Sequence, residues 1–267
     1  MGTAVRVVHN ESMTVALSPF GRELRHWRTH RGMSQLQLAL AADSTSRHIS
    51  FLETGRSRPS AVMVDRLCDA LQVPVRERNT LFEGAGISAP YENGSIEDPN
   101  LGTFRFALDA MLAKHMPFPG FVLDRNWNVV LANPSASAML QAGERNMVRM
   151  MFGGTLQPMI DNWDAVAWNG LARLRQDASN HPDSGELAEL IEHAREALAE
   201  TPRPAAVGSS LVACPHFRLN GMVIPTVTIT AQFTAARTAA TDELRVQLVF
   251  PETEAGADLF AELAADL

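Results

Sequence analysis

The sequence predicts two domains of different class: an all-α bundle of five helices over residues 18–86, then an α+β domain with an antiparallel sheet over 101–267, joined by a linker at 87–100. Three observations carry this. Up to Gly84 the apolar residues recur every three or four positions, the helical period. From Thr226 the chain instead alternates strictly, apolar then polar, the period of a strand. Between them, the run GISAPYENGSIEDPN gathers Gly, Ser, Pro, Asn and acids, the composition of a boundary.

Composition narrows the class further. A chain of 267 residues fits one or two domains, and 46% hydrophobic with 20% charged residues is enough to bury a real core. No window reaches the roughly 18 apolar residues that span a bilayer. The first twenty residues or so lack a basic run followed by an apolar block, so no secretory signal and no membrane partner are expected. Cys68 and Cys214 are isolated, which argues against a disulfide scaffold or a zinc site and fits a reducing cytoplasm. Charge is uneven. Residues 1–90 carry 11 Arg and 8 acids, a net of +3; residues 91–267 carry 12 Lys+Arg and 22 acids, a net of −10. A basic front and an acidic back point to nucleic acid meeting only the front.

Residues 1–17 show little periodicity and read as a loose arm. Pro19 to Gly32 is the first helix, with Phe20, Leu24 and Trp27 on one side. Arg22, Arg25, Arg28 and Arg31 crowd the rest, where they either touch phosphates or solvate the surface. The segment Met33–Pro59 reads as two short helices and a tight turn. Ser34 caps the first of them, and Asp43 tolerates the left-handed backbone of a sharp turn. Thr45 caps the second, Gly55 ends it, and Pro59 precedes the next helix. Ile49 and Leu52, three apart, form its inner face, while Ser46, Arg47, Ser50 and Phe51 point outward. A short helix with a small apolar heel and a polar, basic outer face fits the major groove of DNA.

These residues resemble the Cro and repressor-type helix-turn-helix family, also called the XRE family. The matching positions are Ser34-Gln35, Leu38-Ala39, the turn Asp43-Ser44-Thr45, Ile49-Ser50, and Glu53-Thr54-Gly55 through Pro59. Asp43 and Ser44 stand where the family has Gly and Val. The resemblance implies a repressor-like DNA-binding domain, double-stranded DNA as partner, and a homodimer reading two half-sites. Ser46, Arg47 and Ser50 are then the candidates for base edges. Gln35 and Thr45 are candidates for phosphates or turn capping, and Arg56 and Arg58 for backbone contacts. Helices over Ser60–Leu71 and Val75–Gly84 complete the bundle.

In the back half a helix over Leu101–His115 carries Phe104, Leu108, Met111 and Leu112 in one stripe. Gly120–Asn133 reads as two strands around Asp124-Arg125-Asn126, and alternation places Trp127, Val129 and Leu131 on one face. A helix starts at Asn133. Residues 144–178 read as helical almost throughout, and 184–200 as a surface helix. Asn220-Gly221 is a hairpin turn between Phe217–Leu219 and a strand from Met222. Val227, Ile229, Ala231 and Phe233 alternate with Thr226, Thr228, Thr230 and Gln232; Leu244 to Phe250 alternates again; a helix from Gly256 closes the chain. The expected sheet has about five strands, two early and three late, around a helical insert. The lone tyrosine, Tyr91, can dock on either domain.

Gly120–Asn133, Arg145–Phe152 and Asp161-Asn162-Trp163 with the helix after it resemble the ligand-binding domain of MmyB-like transcription regulators. That resemblance implies a PAS-like domain sensing a small apolar ligand, a fatty acid being one candidate. No esterase elbow, P-loop, Rossmann glycine set or metal-spaced histidines occur, so no catalytic residue, cofactor or metal ligand is expected. The methionines and aromatics of the insert (Met139, Met151, Phe152, Trp163 and Trp168) line an adaptable pocket or pack a plain core. With Phe104, Leu108, Met111, Trp127, Ile229 and Phe233 they are the candidate ligand residues. Arg149 either holds a ligand carboxylate or makes a surface ion pair. Two other readings stay open: an enzyme fused to a DNA-binding module, and a back domain that only dimerises.

Overall fold

In a computed structural model the described residues are 18–91, 96, 98–140, 143–181, 184–204, 214–233, 238, 241, 243–265 and 267. The expected N-terminal arm lies outside them. The chain divides into two compact units, residues 1–91 and 92–267.

The described residues of the first unit form five helices: α1 (Pro19–His30), α2 (Gln35–Ala41), α3 (Ser46–Glu53), α4 (Ala61–Ala70) and α5 (Val75–Gly84). Short polar residues start four of them. Ser18, Ser34, Thr45 and Ser60 each accept a backbone N–H from three residues on, which satisfies donors the helix itself leaves open. Gln37 completes a capping box with Ser34. Asp43 takes the left-handed conformation the turn needs. Phe20, Leu24, Trp27, Leu38, Ile49, Leu52, Leu67 and Leu81 fill one core. α1 crosses α3 so closely that a Cβ on Gly21 would lie 2.3 Å from the Glu53 carbonyl oxygen, so only glycine fits there. Tyr91 docks on this unit: its ring meets Phe82 edge-on and its backbone pairs with the Asn79 amide.

The second unit is a five-stranded antiparallel sheet with helices. α6 (Gly102–Lys114) leads into β1 (Gly120–Leu123) and β2 (Val129–Ala132). Then come α7 (Pro134–Met139), α8 (Met147–Phe152), α9 (Trp163–Asn180) and α10 (Gly185–Ala197). β3 (His216–Leu219), β4 (Met222–Gln232), β5 (Arg245–Pro251) and α11 (Glu254–Ala264) close the unit. The strand order is β2-β1-β5-β4-β3, so the two early strands and the three late ones share one sheet, as expected. Asp124 builds the β1–β2 turn by accepting the N–H groups of Asn126 and Asn128. Asn133 ties three elements together: it caps α7, accepts Gly120 N–H, and donates to Phe118 and Leu112 carbonyls.

Three expectations need correction. Residues 144–178 are not one helical run: α8 ends at Gly153, Gly154 takes a φ of +85°, and a single 3-10 turn at Gln157–Met159 precedes α9. Trp127, Val129 and Leu131 do not share a face. The β1–β2 register shifts between Val122 and Leu123, so Val129 joins Trp127 in the large core while Leu131 faces the opposite side. A bulge of this kind resets the alternation. Finally, the face carrying Ile229 and Phe233 is not the ligand side, because the helical insert covers the opposite face of the sheet. On β4 the threonine side is the inner one: Thr226 is fully buried, while Val227 and Ile229 are 45% and 51% exposed. Their face is covered by α6 only farther along, where Leu108, Leu112, Val122, Leu131 and Val246 form a second, smaller core.

Candidate functional site

The first unit presents α3. Its inner residues Ile49 and Leu52 are fully buried, as the projection requires. Arg47 is exposed, Ser46 and Ser50 are half-buried, and Arg56 and Arg58 lie exposed just beyond the helix. Thr45 is committed to capping, its hydroxyl accepting His48 N–H at 3.1 Å. Gln35 sits at the first position of α2, and its amide donates to Glu53 at 2.8 Å. That carboxylate is buried and also takes two bonds from Arg28, at 2.5 and 3.1 Å. Arg28 also donates to the Met33 carbonyl, and Arg31 donates to the carbonyls of Leu71 and Gln72. Arg28 and Arg31, the latter just beyond α1, are therefore internal ties, whereas Arg22 and Arg25 remain exposed.

The end of α3 is shaped by Gly55, at φ +72°. Gly55 N–H bonds to the Leu52 carbonyl and Arg56 N–H to the Phe51 carbonyl, the paired bonds of a Schellman ending. This turn brings Arg56 back beside α3. Its guanidinium lies 6.0 Å from the Phe51 ring centroid, and that of Arg47 lies 5.2 Å from the same ring.

The second unit holds a partly open cavity of about 140 Å³ between the inner sheet face and α7–α9. Phe121, Trp127, Met139, Met147, Met151, Leu156 and Val249 give it an apolar lining. Its polar lining side chains are Asn169 and Arg173 on α9, Cys214, Thr228 on β4 and Gln247 on β5, and among the described residues no acid lines it. Arg173 is half-buried and has no hydrogen-bond or ion-pair partner among the described residues. Asn162 secures the segment over the cavity, donating to the Cys214 carbonyl and accepting His216 N–H. Beside it Arg245, only 5% exposed, pairs with Asp177, and the Trp127 indole N–H donates to that same carboxylate at 2.8 Å. The Arg245 guanidinium also lies 5.0 Å from the Trp127 ring centroid.

Of the ligand residues expected from sequence, Trp127, Met139 and Met151 line the cavity. Phe152 and Trp163 sit in the core around it, and Trp168 packs on that core under Arg203. Phe104, Leu108, Met111 and Phe233 belong to the smaller core on the other sheet face, where Phe104 meets Phe233 edge-on at 4.5 Å. Ile229 faces outward on that same side. Arg149 is exposed on α8 and does not line the cavity; Arg173 does. Sequence reasoning passed over Arg173 and Asn169. The signal was the stripe Val166, Gly170 and Arg173, at helical spacing on α9.

Fold and sites together define a transcriptional regulator with a helix-turn-helix unit and a separate small-molecule-binding unit. A helix-turn-helix domain model matches residues 19–81. The model for the MmyB-like transcription regulator ligand binding domain matches residues 104–263, and the chain belongs to that family. No curated protein matches the chain. Among the described residues no cluster of His, Cys, Asp and Glu could hold a metal ion, and no helix is long and apolar enough to cross a membrane.

Proposed function

We propose that this regulator holds a small apolar molecule with an anionic end in the second unit's cavity, and that occupancy changes how a homodimer binds a specific duplex site. The observation that carries the ligand reading is Arg173: a guanidinium with no partner among the described residues, lining a mostly apolar space in which no described residue is an acid. A carboxylate is the group such a side chain pairs with best. A fatty acid is one ligand of this class. A cavity of about 150 Å³ accepts a benzene-sized guest, so a compact acid suits the space as it stands. A longer chain would need the methionine wall to shift, which flexible thioether side chains allow.

On the DNA side, Ser46, Arg47 and Ser50 read base edges in the major groove, and Arg56 and Arg58 contact phosphates. One eight-residue helix covers few base pairs, so two copies on a two-fold site supply the affinity. The ligand acts only to the extent that it binds one dimer geometry better than another.

Hexanoate and hexanol test the ligand reading on the full chain. Hexanoate should raise the melting midpoint more than hexanol, and Arg173→Gln should erase the difference. Equal responses in the unaltered protein would remove the role of Arg173; no response to either would remove the cavity as a sensor. For DNA, Arg47→Ala should cost about 1–3 kcal/mol on a duplex selected from a random pool and relax sequence preference. Unchanged discrimination against a scrambled duplex would overturn the outward assignment of Arg47.

A further inference from the structure

We infer that Phe51 is the positioning residue of the DNA-reading surface, a single ring that sets both Arg47 and Arg56. The inference rests on the DNA-binding reading above and adds a side chain that carries no donor, acceptor or charge of its own. Three observations support it. Phe51 is only half-buried and does not belong to the core of its unit. Two guanidiniums from different parts of the backbone converge on it: Arg47 one turn earlier in α3, at 5.2 Å, and Arg56 from the turn beyond, at 6.0 Å. Neither arginine has a hydrogen-bond or ion-pair partner among the described residues, so the ring is what fixes them.

The backbone makes this arrangement specific. The Phe51 carbonyl accepts the N–H groups of Arg56, at 2.8 Å, and Ser57, at 3.2 Å, so the residue that offers the ring also anchors the turn carrying the second arginine. A free arginine side chain loses considerable rotamer freedom when it is immobilised on DNA. A guanidinium already resting on a ring has lost part of that freedom before the encounter. Both charges stay available, because attraction to the ring's electron-rich face leaves the N–H edges open to a base or a phosphate.

The test is a set of double-mutant cycles on the full chain, using a duplex selected from a random pool by the unaltered protein. Phe51→Leu keeps an apolar side chain and removes the ring. It should weaken binding about tenfold, the product of two exposed cation–ring contacts. Phe51→Tyr keeps the ring and should bind within about twofold of the original. Arg47→Ala and Arg56→Ala should each cost several-fold less in the Phe51→Leu background than alone, which a merely structural role for Phe51 would not produce. Circular dichroism and melting of Phe51→Leu keep misfolding separate from lost positioning. Additive effects, or a Phe51→Leu protein that binds like the original, would overturn the inference while leaving DNA binding intact. Failure of the unaltered protein to show salt-sensitive binding to any duplex would instead sink the underlying reading.

Discussion

Arg28 and Glu53 form a two-point ion pair between the first helix and the end of the recognition helix. Nε and one terminal nitrogen of Arg28 reach the two carboxylate oxygens of Glu53, which is 3% exposed and also receives the Gln35 amide. Three helices thus meet on one carboxylate. Such a pair fixes geometry more than it adds stability, because both charges lose their water.

Removing one partner is then costly. Arg28→Ala should destabilise the first unit by about 3–5 kcal/mol, because Glu53 stays buried without its cation. Glu53→Gln, which keeps the shape without the charge, should differ from it. Hydrogen exchange of the α1–α3 amides checks this. A loss below about 1 kcal/mol would show that the pair behaves like a surface contact.

The two thiols should separate cleanly. Cys68 is fully buried, and burial pushes its thiol up to about 12, so little thiolate forms near neutrality. Cys214 lines the cavity. Iodoacetamide should therefore alkylate Cys214 in the folded protein and Cys68 only after unfolding. Hexanoate should slow the first reaction, and peptide mapping by mass spectrometry reads both. Equal labelling of both thiols in the folded protein would contradict this packing.

Acid should weaken the second unit through His115. Its Nε2–H donates to the Val249 carbonyl at 3.0 Å, and burial lowers its pKa. The unfolded chain therefore binds a proton at a higher pH than the fold does. Stability from the neutral ring is fully present above the unfolded value of about 6.5 and is lost as pH falls below it toward the folded value. His115→Gln should be less stable at pH 7.5 yet lose less between pH 7.5 and 5.5, as melting scans at both values would show. Parallel losses in both proteins would assign the acid sensitivity to another group.

The side chains of Val223, Val227 and Ile229 on β4 form an exposed apolar strip. If the proposed homodimer uses it, Ile229→Asp should yield monomers by light scattering. The response to hexanoate should survive, since Ile229 lies outside the cavity lining. A dimer that persists would place the contact elsewhere.

How far the sequence could be read depended on how local the deciding contacts are. The helix-turn-helix unit was legible down to its caps, because Ser34, Thr45, Asp43 and Gly55 act on neighbours within a few positions. The pairing of two early strands with three late ones was also legible, because β4 and β5 alternate and Gly120–Asn133 reads as two strands around a polar turn. The cavity was less so. One register shift beside Val122 sends Leu131 to the opposite face from Val129, and no local pattern marks it. The apolar side of β4 put Ile229 and Phe233 among the ligand candidates, yet Thr226 and Thr228 face inward, because whichever face the insert covers becomes interior. Arg149 and Arg173 are alike as residue types; only the tertiary packing of α8 and α9 decides which of them borders the cavity.

The glycine contact between α1 and α3 has a mechanical consequence. With the Glu53 carbonyl pressed against Gly21, the recognition helix has no slack to tilt or slide within its own bundle. Under the proposed regulation of a dimer, a small molecule must then leave the reading head internally unchanged and act on where whole heads are carried. A screen for constitutive variants should accordingly find few at Gly21 and its neighbours, where the same change that loosened the head would also unfold it.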